Sequence, residues 1–253
     1  MDTLPLELLA RLSRVRTAGA ITGAGVSHES GIRTYRGKGG LYDDPEEGER
    51  TVEALSGATF RTDPGRTWRV IRDLLAQAWG ARPNGGHLAL ARMEARLERF
   101  VLLTQNVDGL HAAAGSRNVI DIHGDVRRLR CEACGATRTV ASPDDVATPP
   151  RCPACDEPLR PDVVLFGELL PLDRLARLKR EFYEETPDLV ILAGTTAVFP
   201  YVAEPVLLAR ALGKLTVEVN PEPTDLSDAV DFSLRGAAGA LLPAIADALE
   251  AGR

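Results

Sequence analysis

Four cysteines set the tightest limit on what this chain can fold into. They stand as Cys131-Glu132-Ala133-Cys134 and Cys152-Pro153-Ala154-Cys155, with 17 residues between the pairs and no other cysteine in the 253-residue sequence. This is the two-turn spacing of a structural zinc site, in which each pair puts two thiolates on one tight turn and the two turns close a tetrahedron. The surrounding stretch needs such a staple. Pro143, Pro149, Pro150, Pro153, Pro158 and Pro161 are incompatible with central strands or long helices, so a metal is expected to replace a missing apolar core. Four protein ligands leave no coordination position for water or substrate, and the expected role is structural. Two redox dithiols fit less well, because nothing around them resembles a thioredoxin-like unit; iron–sulfur ligation is the lesser alternative.

Outside that stretch, short runs rich in β-branched residues alternate with amphipathic segments, the pattern of parallel strands joined by crossover helices. Strands are expected over Thr17–Thr22, Phe100–Thr104, Val119–Ile122, Leu189–Ala193, Leu215–Val219 and Phe232–Leu234. Helices are expected over Leu4–Arg14, Arg66–Trp79, His87–Leu97, Leu172–Glu185, Tyr201–Leu212 and Ala238–Leu249. The alternation breaks twice, near 43–85 and near 127–161, where charge, Pro and Gly rise and the strand signal fades. The expected fold is therefore α/β, a Rossmann-like doubly wound parallel sheet with a small zinc-binding and helical module inserted. The chain divides as 1–42, 87–127 and 163–253 for the Rossmann-like part, 43–86 for a helical insert and 128–162 for the zinc-binding module.

Composition narrows the function classes. No segment approaches the ~20 apolar residues that span a bilayer, and the first residues, with Leu4, Leu8, Leu9 and Leu12 at helical spacing, lack the apolar block of a signal peptide. A cytoplasmic protein with no membrane partner is expected. A net charge of −6 makes nucleic acid an unlikely partner, because such binding rests on a cationic footprint.

The first strand runs into Gly23-Ala24-Gly25-Val26-Ser27, where glycines let the backbone turn tightly and approach a pyrophosphate. The third glycine of the dinucleotide fingerprint is absent, His28 standing in its place, and no acid is clearly placed for a ribose. The continuation Glu29 to Gly37 is not helical in pattern and reads as a loop over a ligand. Gln105, Asn106 and Asp108 follow one strand, His123-Gly124 another, Gly194-Thr195-Thr196 a third and Asn220-Pro221 a fourth. All fall at the strand ends where ligands of doubly wound folds collect. Taken singly, each polar residue is a turn former or a helix cap.

Together these segments resemble the sirtuin family: Gly23 to Gly37, Thr104-Gln105-Asn106-Val107-Asp108-Gly109-Leu110-His111, His123-Gly124, Gly194-Thr195-Thr196, Val219-Asn220-Pro221 and the cysteine quartet stand in that family's order. The resemblance implies an NAD-dependent protein-lysine deacylase that moves the acyl group to ADP-ribose and releases nicotinamide. His123 would be the base taking a proton from a ribose hydroxyl, with Asn106 as the second catalytic residue. Cofactor contacts would come from Gly23, Ala24, Gly25, Ser27, Thr34, Tyr35, Arg36 and Tyr42 on the first loop, and from Gln105, Asn106, Val107 and Asp108 on the second. Gly194, Thr195, Thr196, Asn220, Pro221, Glu222 and Ala238 would complete the adenosine side. The segment Val163 to Glu168 resembles the family's substrate strand, so Val164, Phe166, Gly167 and Glu168 would hold an acyl-lysine protein or peptide. Zinc on Cys131, Cys134, Cys152 and Cys155 and NAD as co-substrate are the implied metal and cofactor.

The sequence departs from the family pattern at Arg33, where Pro is usual, at Tyr35, usually Phe, and at Thr196, where Ser is common. Members that remove succinyl or malonyl groups carry Tyr and Arg three residues apart in the helix after the cofactor loop; Ile71 and Leu74 stand here. Acetyl or longer apolar acyl groups are therefore expected. ADP-ribosyl transfer to protein uses the same cofactor cleavage and is the alternative activity. A zinc-ribbon binding module contacting nucleic acid through Arg127, Arg128, Arg130 and Arg138 is the non-enzymatic one. A hydride-transferring dehydrogenase is disfavoured by the missing glycine and acid.

Overall fold

A computed structural model describes residues 4–34, 40, 44–140 and 142–252. Six parallel strands form the main sheet: β1 (Thr17–Thr22), β2 (Arg99–Thr104), β3 (Val119–Asp121), β7 (Leu189–Ala193), β8 (Leu215–Asn220) and β9 (Phe232–Arg235), in the order β3-β2-β1-β7-β8-β9. Both faces are covered, which is why β1, β2, β7 and β8 read as nearly continuous apolar runs. On one face Leu102, Ile191 and Val217 meet Leu8 of α1 (Leu6–Leu12), Leu90 of α5 (Gly85–Arg96) and Ile245 of α9 (Ala238–Ala251). On the other, Ile21, Leu103 and Val190 meet Leu178 of α7 (Leu172–Leu178), Phe182, and Val206 of α8 (Pro200–Ala211). Strand order reverses between β1 and β7, and this switch point opens a crevice at their carboxyl ends.

All six expected strands form, each within a residue of its expected bounds. The helices differ more. The expected helix Leu172–Glu185 is α only to Leu178 and continues as a π turn over Lys179–Glu184. The first insert holds two helices that hydrophobic spacing did not reveal, α2 (Pro45–Ala54) and α3 (Gly57–Thr62), ahead of α4 (Pro64–Gly80). Capping marks them instead: Asp44 accepts from Glu46 and Glu47 N–H, Ser56 from Thr59 N–H and Asp63 from Arg66 N–H, with Pro45 and Pro64 at the first helical position.

The second insert contains strands where none were expected. β4 (Gly124–Cys131), β5 (Thr137–Thr139) and β6 (Leu159–Val163) form an antiparallel sheet in the order β5-β4-β6. Pro161 lies on β6, an edge strand, where its missing N–H does no harm. The two inserts, distant in sequence, share one core: Trp68, Ile71 and Leu75 of α4 pack with Val126, Leu129 and Leu159, and the Trp68 indole N–H donates to the Leu159 carbonyl at 2.8 Å. No helix among the described residues is long and apolar enough to cross a membrane.

Candidate active site

Two glycine loops meet at the switch point. The Gly25 N–H donates to the Gly194 carbonyl at 2.8 Å, and a Cβ on Gly25 would lie 2.8 Å from Gly194 Cα, so a side chain there would force the loops apart. Residues Ala24–Ser30 then form a 3₁₀ helix rather than the α-helix of a dinucleotide fingerprint. A cavity of about 810 Å³ opens beside these loops, within the roughly 300–1,000 Å³ range of small-molecule and cofactor sites. Gly23, Ala24, Gly25, Thr34, Gln105, Asn106, Val107 and His123 line it, as do Gly194, Thr195, Thr196, Asn220, Pro221, Glu222 and Ala238. Val164, Phe166, Gly167 and Glu168 face the same space. Ser27 and Asp108 do not; they line a smaller cavity of about 30 Å³ that shares Ala24, Asn106 and Val107 with the large one. Tyr35, Arg36 and Tyr42 lie outside the described residues.

The polar residues after β2 are fixed from behind. The Asn106 side-chain amide donates to the Gly23 carbonyl at 3.1 Å and to Ser27 Oγ at 3.0 Å, while the Gln105 amide donates to Thr195 Oγ1 at 2.8 Å. The buried Ser27 hydroxyl donates to Asp108 Oδ2 at 2.7 Å, and Asp108 Oδ1 accepts the Leu110 N–H at 2.8 Å. His87 Nε2 lies 3.4 Å from Ser27 Oγ while its Nδ1 accepts the Asn84 N–H, closing the capping box of α5. His111 is buried against Thr22 Oγ1 at 3.0 Å, and its Nδ1 has no partner. Burial, and then the neighbouring His87, pushes the His111 pKa down to about 3.

His123 leaves β3 just before β4 begins and is held at both nitrogens. Nδ1 is 3.0 Å from the Gln105 carbonyl and Nε2 is 2.7 Å from the Tyr201 hydroxyl. A carbonyl only accepts, so Nδ1 carries the proton and Nε2 presents its lone pair. Burial holds the His123 pKa below its ordinary value, with Arg174 adding to the effect against the hydrogen bond to Gln105. The ring is thus a neutral base at neutral pH.

The facing wall is tied to the inserts. Phe166 donates its N–H to the Leu55 carbonyl at 2.9 Å and accepts from Gly57 N–H at 3.0 Å; Val164 N–H reaches the His123 carbonyl at 2.9 Å. Glu168 is clamped by the buried Arg160 through bonds of 2.8 and 2.7 Å and itself accepts the Leu165 N–H. Sequence reasoning missed Arg160, and also Tyr201 and its neighbours Val198 and Phe199, which line the cavity. Tyr201 read simply as the start of a helix; an aromatic with a polar tip in the first turn above a ligand loop was the available signal.

In the small module the four cysteine sulfurs lie within 4.8 Å of one another, close to the ~3.8 Å edge of a tetrahedron with 2.3 Å zinc–sulfur bonds. Each pair sits on the same turn: Gly135 N–H donates to the Cys131 carbonyl and Asp156 N–H to the Cys152 carbonyl, with both Gly135 and Asp156 left-handed. The four-thiolate set suits zinc.

A doubly wound sheet with glycine loops at its switch point, carrying a satellite with four convergent thiolates, defines a dinucleotide-binding protein with a metal-stapled module. Comparison with known proteins narrows the class. Residues 23–200 match the family profile described as "Sir2 family". The chain is 44% identical over 246 residues to NAD-dependent protein deacylase 2 of Pseudomonas aeruginosa, covering 95% of this chain and 96% of that one. It is 41% identical over 236 residues to NAD-dependent protein deacylase 1 of Archaeoglobus fulgidus, covering 93% and 94%. Its fold superimposes on a Sir2 homologue–NAD complex with TM-score 0.86 and 39% identity, over 98% of this chain and 94% of that one. It also matches a Sir2 variant holding a deacetylated p53 peptide and 3′-O-acetyl ADP ribose, with TM-score 0.84, 29% identity and coverage of 97% and 98%. The chain belongs to the Sir2 family, the sirtuins.

Proposed function

We propose that this protein is an NAD-dependent protein-lysine deacylase in which His123 is the base. NAD supplies the electrophilic ribose carbon, which takes the acyl oxygen as nicotinamide departs. The observation that carries the reading is the fixed tautomer of His123, a residue lining the cavity: with the proton held on Nδ1 by the Gln105 carbonyl, Nε2 is the accepting nitrogen, now bonded to the Tyr201 hydroxyl, and it can take a proton from a ribose hydroxyl so that the oxygen can receive the acyl group. Asn106, held by Gly23 and Ser27, keeps its side-chain oxygen for the carbon that gains positive character as the glycosidic bond breaks. Gly23, Gly25, Gly194 and Thr195 hold the phosphates, and Asn220, fixed by the Thr195 carbonyl at 2.9 Å, serves the adenosine ribose. The acyl oxygen stays on the ribose carbon, one water releases the lysine amine from the acyl carbon, and the products are free lysine, nicotinamide and O-acyl-ADP-ribose.

The acyl-lysine peptide enters along Val164 to Glu168. Phe166 already pairs with Leu55 and Gly57, so a guest strand pairs with Gly167, whose peptide groups have no partner among the described residues. The acyl end of the cavity is lined by Leu55, Ile71, Leu74, Val107 and Val126, a surface that favours acetyl or longer apolar groups over acidic ones. In domain terms, residues 43–86 and 128–162 form the small unit and the rest the large one, a division supported by the core the two inserts share. Nucleic acid is a poor partner because Arg127, Arg128 and Arg130 are ion-paired to Asp125, Asp121, Asp162 and Glu132.

Mass spectrometry of an acetyl-lysine peptide with NAD tests this. The parent protein should remove one acetyl group per nicotinamide released, and His123→Ala should lower the rate about 10²–10⁴-fold with an unchanged melting curve. ADP-ribose attached to protein instead, with the acetyl group retained, would reject deacylation in favour of ADP-ribosyl transfer.

A further inference from the structure

We propose that Tyr201 is a positioning residue that guards the base: its hydroxyl occupies the hydrogen-bonding direction on His123 Nε2 that the ribose hydroxyl of the dinucleotide requires, so the cofactor must displace it. This rests on the assignment of His123 as base. Because the Gln105 carbonyl holds the Nδ1 proton, Nε2 can only accept, and Tyr201 must donate to it at 2.7 Å. The two rings meet edge to face, 5.9 Å apart at 81°, with the phenol oxygen at hydrogen-bond distance from Nε2. Phe199 backs Tyr201 with a near-parallel ring at 5.4 Å and 14°. Both belong to the segment that leaves the Gly194 loop and enters α8, and Ala197 within it holds φ +56°, a left-handed conformation costly for a residue with a Cβ. The segment that binds the cofactor therefore also carries the group that competes with it.

Two consequences follow from one bond. Tyr201 keeps the imidazole pointed into the cavity and shields its lone pair from water. It also stabilises the neutral ring, because a donor to Nε2 cannot remain one once that nitrogen is protonated. When the ribose hydroxyl gives its proton to Nε2, Tyr201 keeps its own; burial raises the phenol pKa far above neutrality. The charged group whose field reaches the ring is Arg174 of α7, which is itself paired to Asp121 of β3 at 3.4 Å and Asp162 of β6 at 3.5 Å.

The test is calorimetric binding of ADP-ribose, which carries the ribose hydroxyls but undergoes no reaction, to the parent, Tyr201→Phe, His123→Ala and the double variant. Removing the phenol oxygen should tighten binding about 2- to 12-fold, the worth of one hydrogen bond, and the gain should vanish in the His123→Ala background. The acid limb of kcat/KM should also move to higher pH in Tyr201→Phe. Equal effects of Tyr201→Phe in both backgrounds, or weaker binding in either, would reduce Tyr201 to a packing residue. The ¹⁵N chemical shift of His123 Nε2 gives a ligand-free check: it should change on Tyr201→Phe, and an unchanged shift overturns the bond itself. If the parent binds no ADP-ribose, the cofactor reading falls together with this one; binding without the Tyr201 effect sinks this one alone.

Discussion

The parallel sheet and the cysteine module solve the same problem by different means. The sheet buries both faces of four strands under helices, with Ile21, Leu102, Val190, Ile191 and Val217 fully excluded from solvent, and it needs no cross-link. The module cannot do this alone: β5 is exposed at all three residues, and its apolar residues, Leu129, Val140, Val146 and Leu159 among them, form a core only together with Trp68, Ile71, Leu75 and Ala78 of α4. Four thiolates stand where the rest of a core would be. A large α/β unit is thus held together by apolar area, and its satellite by a metal and a borrowed helix face.

Removing the metal should separate the two regions most strongly. A strong chelator should unfold the module while sparing the sheet, since structural zinc contributes on the order of 10–16 kcal/mol to small domains of this kind. Hydrogen exchange should rise over 124–163 and α4 while β1, β2 and β7 stay protected, and uniform exchange would show that the two regions form one cooperative unit. A smaller blow to the same region is Trp68→Ala. It opens a cavity and orphans the Leu159 carbonyl, for a loss of about 3–5 kcal/mol, and should lower the stability of α4 and β6 ahead of the sheet in denaturant titrations read by exchange. Mild acid should strike the other region. His111 is held neutral under the sheet's ligand edge with a pKa of about 3 against an ordinary 6.5, so the unfolded chain binds the extra proton between those values. Stability contributed by the buried neutral ring is complete above 6.5 and declines as pH falls, by at most about 1.4 kcal/mol per unit. Melting temperature should drop from about pH 7 to about pH 5 in the parent and drop less in His111→Gln; parallel curves would mean that the ring is hydrated.

Legibility followed the same divide. The parallel strands were readable because a strand buried on both faces leaves an uninterrupted apolar run, as in Leu189–Ala193. The cysteine turns were readable because ligand spacing is local chemistry. The module's strands were not, since β4 alternates charge with single apolar residues and β6 contains a proline, and neither pattern declares a strand until its partner is known. Helices α2 and α3 hid for a related reason: their caps were in the sequence, but their short apolar faces acquire meaning only beside the second insert. In the site, residues 23–25, 105–107, 194–196 and 220–221 and His123 line one cavity, whereas Ser27 and Asp108 line a smaller one beside it and the cysteines lie in the module. The contact between Tyr201 and His123 was invisible, because it joins residues 78 positions apart through an atom that looks like ordinary helix surface.

The shared core of the two inserts also sets a schedule for biosynthesis. Trp68 and its hydrogen-bond partner Leu159 lie 91 residues apart, so at roughly 5–20 residues per second of translation helix α4 leaves the ribosome on the order of 5–20 s before the strand that covers it. Through that interval Trp68, Ile71 and Leu75 lack Leu159 and its strand, with Leu55 and Phe60, and later Val126 and Leu129, as their partial cover. The nascent chain therefore carries an apolar helix face that chaperones can grasp, and the arrival of the second cysteine pair closes it.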